Sequence, residues 1–351
     1  MTENAKKKII ENKKRSSLQK EKPEVYEKMI KLADMEKLGL PTSRIDLGYN
    51  YACNLKCSHC MAMKFQRKQR SLDLKDVRSI AEQAHAKGWC QFNIAGGEPL
   101  IFKDFDKVLE ALMPDKFHIV ISTNVYFMTD KKVRQLKEAG LDKVMISVDS
   151  YDEELHNCQR GKDNAYSKAF DAIWAAKNAG LDVVLQTVIT HQNCRTDSTV
   201  NLAKFAQEND FSLDLVLAKA IGEWEGRHEI LIDEDDAKFM RDLHEEYPAA
   251  RRNVFAGFGM KQGCGAIKKC FHISQYGDVF PCVFIHVSIG NIFRDSLDTI
   301  VSRGMKIKYF RTFAKTCLSG ETRHFIDKYM SKFYGKPLPI DYREMFSERS
   351  D

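Results

Sequence analysis

A-G-L-D stands at residues 139–142 and again at 179–182, forty residues later. Each copy closes a segment of helical periodicity, 130–139 and 164–179, and opens a strand-like run, Lys143–Val148 and Val183–Ile189. Glycine just past a helix end supplies the left-handed residue that turns the chain. The repeat therefore reads as one βα unit per roughly forty residues. Upstream, Leu74, Val77, Ile80 and Ala84 mark a helix over 73–87 that ends at Gly88, and strands are expected at Gln91–Ile94 and His118–Ile121. Ser43–Gly48 precedes them as the first strand. Leu213–Ala218, after a helix over 198–208, is the last. About six such units fit, and their alternation predicts a parallel sheet with right-handed crossovers. The spacing leaves a doubly wound sheet and an incomplete β/α barrel equally open. In either, functional groups gather at the C-terminal ends of the strands.

The flanks read differently. Residues 1–22 are polar and lysine-rich, and Val25, Met29, Leu32 and Met35 recur at helical spacing after Pro23. Beyond residue 223 the alternation stops. A helix over Asp233–Tyr247 gives way to Gly- and Cys-rich turns, a hairpin-like stretch at 271–282, a helix near 296–303, and a basic, aromatic segment from about 321. The expected division is thus 1–40, 41–222, 223–320 and 321–351. The 351 residues are 43% hydrophobic and 30% charged, enough for a large core. No apolar run is long enough for a membrane span and the N-terminus is no secretory signal, so a reducing, cytoplasmic setting is expected. A net charge of +6 is modest for this length and gives no reason to expect nucleic acid. The ten cysteines are then metal ligands or buried thiols rather than disulfides.

C-N-L-K-C-S-H-C, residues 53–60, follows the first strand. Three cysteines are one too few for a closed tetrahedral site. Thiolates bind zinc and iron–sulfur clusters alike. His59 is the only immediate fourth ligand, and its place between Cys57 and Cys60 makes that geometry awkward. A cluster with four irons held by three cysteines would keep one iron open. A-G-G-E-P-L, residues 95–100, ends the second strand. Its glycines allow close backbone approach to a ligand, Glu98 offers a carboxylate and Pro99 stiffens the turn.

The joint pattern, C-x3-C-x2-C and then G-G-E-P one βα unit later, resembles the radical S-adenosylmethionine (radical SAM) superfamily over residues 43 to about 220. The resemblance implies a partial (β/α)6 TIM-type barrel. It implies a 4Fe–4S cluster on Cys53, Cys57 and Cys60, with SAM on the open iron. Cleavage of SAM would then yield a 5′-deoxyadenosyl radical that takes a hydrogen atom from the substrate. Carried over by position, His59 lies near the adenine, and Gly96, Gly97, Glu98 and Pro99 meet the methionyl amino group. Ser122 and Asn124 of S-T-N end the third strand, and Ser147 and Asp149 of I-S-V-D-S end the fourth. Ser147 with Arg160 resembles the pair that takes the SAM carboxylate or ribose, a task suited to the guanidinium fork. Gln186 is added from the fifth strand.

The second module carries C-G-A-I-K-K-C at 264–270, G-D-V-F-P-C at 277–282, G-N-I-F at 290–293 and a lone Cys317. This resembles the SPASM/Twitch extension of radical SAM enzymes. It implies a closed auxiliary 4Fe–4S cluster on Cys264, Cys270, Cys282 and Cys317 for electron transfer. Zinc on the same four ligands is the alternative to that cluster, and a non-catalytic zinc-binding interaction module using both cysteine sets is the alternative of another class. Of the remaining cysteines, Cys158 alone stands near an expected site residue, where it would donate hydrogen in an epimerase.

Twitch-bearing relatives point to oxidation or rearrangement of a small polar metabolite such as a sugar or cyclitol. A ribosomal-peptide maturase is the second expectation, although forty residues before the first strand leave little room for a leader-binding domain. Val283 stands where sulfatase maturases carry aspartate, against that activity. E-W-E-G-R, residues 223–227, reads first as a solvated loop carrying Glu223 and Glu225, and second as the lining of a polar substrate site. The family further implies a low-potential flavodoxin or ferredoxin as reductant.

Overall fold

The computed structural model describes residues 17–38, 40, 44–62, 69–252 and 263–346. Of the basic tail expected over residues 1–22, residues 1–16 lie outside them and residues 17–21 are helical. Helix α1 (Pro23–Lys37) leads to strand β1 (Arg44–Asn50). Then follow α2 (Leu74–Ala86), β2 (Gln91–Gly96), α3 (Phe105–Ala111), β3 (His118–Thr123), α4 (Asp130–Glu138) and β4 (Lys143–Ser147). Two helices, α5 (Glu153–Arg160) and α6 (Ala165–Asn178), connect β4 to β5 (Asp182–Ile189). The series ends with α7 (Asp197–Glu208), β6 (Ser212–Leu217), α8 (Glu234–Glu246) and β7 (Ala250–Arg252).

β1 to β7 are all parallel and lie side by side in chain order. That order decides between the two architectures left open by the spacing. A doubly wound sheet needs a reversal of strand order to put helices on both faces. Right-handed crossovers between successive neighbours put every helix on one face, so the sheet is singly wound, as in a partial barrel. The burial of the strands agrees. Val144 and Ile146, or Leu213, Leu215 and Leu217, are fully covered, while the alternate residues Met145, Ser147, Asp214 and Val216 stay half-buried. The half-open inner face is polar. Asp46 Oδ1 accepts from Asn93 Nδ2 at 3.1 Å, and Ser122 Oγ donates to Asn93 Oδ1 at 3.2 Å.

The two A-G-L-D copies act as expected. Gly140 and Gly180 have φ of 92° and 77°, and the next leucines, both buried, donate back to Leu136 and Ala176 carbonyls. Each aspartate then enters its strand beside the other, with Asp182 N–H on the Asp142 carbonyl at 3.1 Å. α1 covers the opposite end from the cysteine loop, where Lys22 Nζ reaches the Phe117 and Gly140 carbonyls and Asp142.

The boundary expected near residue 222 falls inside this sheet rather than at its edge. α8 and β7 extend it beyond β6, and β8 (Cys270–Ile273) joins β1 in parallel at the other edge. β9 (Val279–Phe280) runs antiparallel to β8, which is the hairpin read from the sequence. β10 (Val287–Ser288), α9 (Leu297–Met305), α10 (Arg323–Lys328), β11 (Ile340–Asp341) and α11 (Tyr342–Met345) complete the chain, with β10 paired to β11. Among the described residues no helix is long and apolar enough to cross a membrane.

Candidate active site

The cysteine loop leaves the C-terminal end of β1 and is held from three sides. From β2, Gly97 N–H donates to the Asn50 carbonyl and Glu98 N–H to the Ala52 carbonyl, each at 2.8 Å. From α5, the Gln159 carbonyl accepts from Ser58 N–H at 3.0 Å. From the segment after β6, Glu223 N–H donates to the Cys60 carbonyl at 3.0 Å. The glycines of G-G-E-P thus admit the cysteine loop itself, where the sequence suggested a ligand. A Cβ on Gly97 would stand 2.1 Å from the Ala52 oxygen. Gly97→Ala is expected to cost about 3 kcal/mol or more, because rigid backbone opposes the added methyl. Denaturant unfolding and iron content check this together, and an unchanged midpoint would remove the clamp from the account.

Glu98 is 1% exposed, and burial raises its pKa against three hydrogen bonds. Oε1 accepts from Leu100 N–H at 3.0 Å and Thr123 Oγ1 at 2.7 Å, and Oε2 from Asn124 N–H at 2.7 Å. A carboxylate offers about four acceptor positions, so one remains on Oε2 for an outside donor. Pro99 opens the short turn that Glu98 caps. Thr123, which sequence reading passed over between Ser122 and Asn124, is the brace. Asn124 Nδ2 reaches Asn54 at 3.0 Å and Cys53 Sγ at 3.7 Å.

The sulfurs have N–H donors of their own. Leu55 N–H lies 3.4 Å from Cys53 Sγ, and Arg160 Nη1 lies 3.7 Å from Cys57 Sγ. Burial pushes both thiols up. Arg160 Nε is paired with Asp149 Oδ2 at 2.8 Å, and His59 Nε2 stands 3.7 Å from the same oxygen. Burial opposes ionisation of Asp149, yet Arg160 and the two histidines nearby hold its carboxyl below the usual range. His59 packs against Trp224 with ring centroids 5.6 Å apart. Its nitrogen faces Asp149, so it is not arranged as a fourth ligand.

Three expectations change here. Arg160 pairs with Asp149, and Ser147 instead sits beside its register partner Gln186 on the half-open inner face. Ser122 turns toward Asn93 and Met145 rather than toward the cysteines. Cys158 is exposed. On α5, His156 and Arg160 are four residues apart and share the buried face, which leaves Cys158 on the other side, away from the site. A hydrogen donor at Cys158 is thereby withdrawn.

The second sulfur set lies in the terminal module. Cys270 opens β8, Cys264 N–H donates to the Ala314 carbonyl at 2.7 Å, and Cys317 is buried. Burial, with added repulsion from Cys317 and Cys270, pushes the Cys264 thiol up to about 12. Burial likewise raises Cys270 to about 11, and Cys282 rises under burial and the other three thiols. Thiols raised in this way become thiolates only with a cation to compensate them. Backbone N–H groups of Ala266 and Leu318 serve Cys264, and that of Phe284 serves Cys282. Arg44, ion-paired with Asp46 at 3.1 Å, donates to Cys270 as Arg160 does to Cys57. No sequence pattern signals Arg44, because its partner lies more than two hundred residues away.

Sulfurs on one tetrahedral zinc stand about 3.8 Å apart. Among the described residues, only His191, Asp233 and Asp236 bring three ligand atoms within 4.8 Å, and these are tied into the α8 cap and to Arg195. Neither cysteine set brings three sulfurs that close among the described residues.

A three-sulfur loop at the C-terminal end of a singly wound β/α sheet, with a four-sulfur set in the terminal module, defines an iron–sulfur enzyme of the partial-barrel class. The chain carries a radical SAM domain, matched over residues 49–204, and a SPASM iron–sulfur cluster-binding domain, matched over residues 264–321. Its cofactors are SAM, the 4Fe–4S cluster that binds it, and auxiliary iron–sulfur chemistry in the second module. The chain is 27% identical over 267 residues to the mycofactocin maturase MftC of Mycolicibacterium smegmatis, covering 70% of this chain and 66% of that protein. It is 28% identical over 193 residues to the GTP 3′,8-cyclase of Listeria welshimeri, 53% of this chain and 57% of that one. It therefore spans less than two thirds of these curated relatives. Among solved structures it resembles Streptococcus suis SuiB bound to precursor peptide SuiA, with TM-score 0.59, 19% identity, and 77% and 67% of the two chains covered. It also resembles anSMEcpe with bound AdoMet and Cp18Cys peptide, with TM-score 0.60, 21% identity, and 88% and 96% covered.

Proposed function

We propose that this chain is a peptide-modifying radical SAM enzyme that carries out a net oxidation. The observation that carries this is the extent of the maturase similarity. It covers 70% of this chain, well beyond the share that 49–204 makes up, while the cyclase similarity covers 53%. In this reading Cys53, Cys57 and Cys60 hold the SAM-binding cluster, and Cys264, Cys270, Cys282 and Cys317 the auxiliary one. When bound, these groups supply a 5′-deoxyadenosyl radical for hydrogen abstraction and a one-electron acceptor. The protein's share is binding and orientation. Asp149 fixes the Arg160 fork, whose remaining N–H groups suit the SAM carboxylate. The free acceptor position on Glu98 Oε2 suits the methionyl ammonium. His59 and Trp224 offer an aromatic wall for adenine, and Ser122, Asn124, Ser147 and Gln186 line the inner face. A flavodoxin or ferredoxin would supply electrons.

The cyclase similarity favours a second reading, a small polar metabolite as substrate. One experiment separates the two. Reduced enzyme and SAM are incubated with perdeuterated peptide pools or with nucleotide and sugar pools. Deuterium in 5′-deoxyadenosine is expected from peptides. Transfer only from the small metabolites would overturn the peptide reading.

A further inference from the structure

Lys219 lies two residues beyond β6, at the strand end that also carries the cysteine loop, and is 5% exposed. Its Nζ donates to the Leu217 carbonyl at 2.5 Å and stands 4.0 Å over the Phe284 ring. Neither neighbour carries a negative charge, and among the described residues no carboxylate pairs with it. The nearest acidic side chain in sequence on the adjoining segment, Glu321, is committed to Arg252 and to Cys317 N–H. An ammonium removed from water without a counter-charge is costly and is kept where something else supplies the charge.

Its position says what that is. The segment after β6 rests on the cysteine loop through Glu223 and Trp224. On its other side are Phe284, two residues after Cys282, and Gly320, three after Cys317; a Cβ on Gly320 would touch Lys219 Cε at 3.5 Å. Lys219 thus lies at the C-terminal strand ends, on a segment that touches the three-cysteine loop on one side and the Phe284 and Gly320 turns of the terminal module on the other.

We infer that Lys219 is the anchor for a carboxylate of the substrate. An ammonium has three donors, and the Leu217 carbonyl takes one, leaving two for the two oxygens of a carboxylate. Among the described residues no second arginine or lysine reaches the Leu217 carbonyl or the Phe284 ring, as a phosphoryl dianion would call for. The inference rests on the strand-end mouth as the site of hydrogen abstraction and holds for a peptide or a small acid.

The test uses anaerobic, fully loaded protein and calorimetric titration with N-acetyl dipeptides as free acids, the matching carboxamides, and inorganic phosphate. The acid is expected to bind at least tenfold tighter than the amide. Lys219→Met should erase that ratio, and Lys219→Arg should keep part of it. Lys219→Met should also raise the unfolding temperature without ligand, since methionine keeps the volume and removes the charge. Equal binding of acid and amide, or none of either, overturns the inference, as does tighter binding of phosphate. It is also overturned if Lys219→Met lowers the unfolding temperature. A shifted auxiliary-cluster potential with acid binding intact makes Lys219 that cluster's counter-charge and overturns it too. Failure of the radical reading shows separately, as absence of deuterium transfer by the wild-type enzyme.

Discussion

Cys57→Ala is expected to reduce SAM cleavage to the level of a no-enzyme blank. Cys57 is the middle sulfur of the three-cysteine loop and the one that Arg160 Nη1 approaches at 3.7 Å. With only three sulfurs in that set, none is spare. His59, the nearest substitute in sequence, has its Nε2 turned to Asp149. The fold should survive the change, because the loop is held through main-chain atoms. Cys60 N–H donates to the Cys57 carbonyl at 3.1 Å, and the bonds from Gly97, Glu98 and Glu223 do not involve the side chain. Chromatographic assay of 5′-deoxyadenosine checks the prediction, with the unfolding temperature as the control. Cleavage at the wild-type rate by well-folded variant would detach C-N-L-K-C-S-H-C from the cluster.

The repeat of A-G-L-D exposed the βα rhythm because its information is local. A glycine at C′, a leucine donating back to the helix and an aspartate opening the strand all act within six residues. Strand order is not local, and singly and doubly wound sheets share one periodicity, so only the neighbours of β1 to β7 could separate them. α3 and α5 were missed for another reason. At seven and eight residues they show barely two turns of pattern. α5 mattered most, since it alone explains why Arg160 faces the cysteines and Cys158 does not.

The candidate site was legible where a motif is contiguous and opaque where partners meet across the chain. The two cysteine sets and G-G-E-P could be read directly. The reason for the glycines could not, because Ala52 reaches Gly97 only after β1 and β2 have paired. Gly222 is similar. A Cβ there would stand 2.4 Å from the Cys60 oxygen, yet nothing around it in sequence marks it. Asp149 was read as one more strand-end ligand. In the fold it is the hub that joins Arg160 and His59, a role set by α5 returning beside β4.

Cys317→Ala is expected to separate the two sulfur sets. Fully loaded wild-type protein should hold about eight irons, four per cluster, and the variant should fall toward about four. SAM cleavage without substrate should persist while substrate turnover falls, because the three-cysteine loop shares no hydrogen bond with Cys317. The local fold gives the experiment a clean reading. The Cys317 carbonyl accepts from Gly320, Glu321 and Thr322 N–H, and its own N–H is held by Glu321 Oε2 at 2.9 Å, so the turn does not depend on sulfur. What alanine removes is the Sγ that, with burial, raises the Cys264 thiol. Iron analysis and electron paramagnetic resonance check the result. An unchanged iron count would strike Cys317 from the ligands. Loss of SAM cleavage along with the iron would mean that the two sets do not load independently, and the division between an open site for chemistry and a closed site for electrons would fail with it.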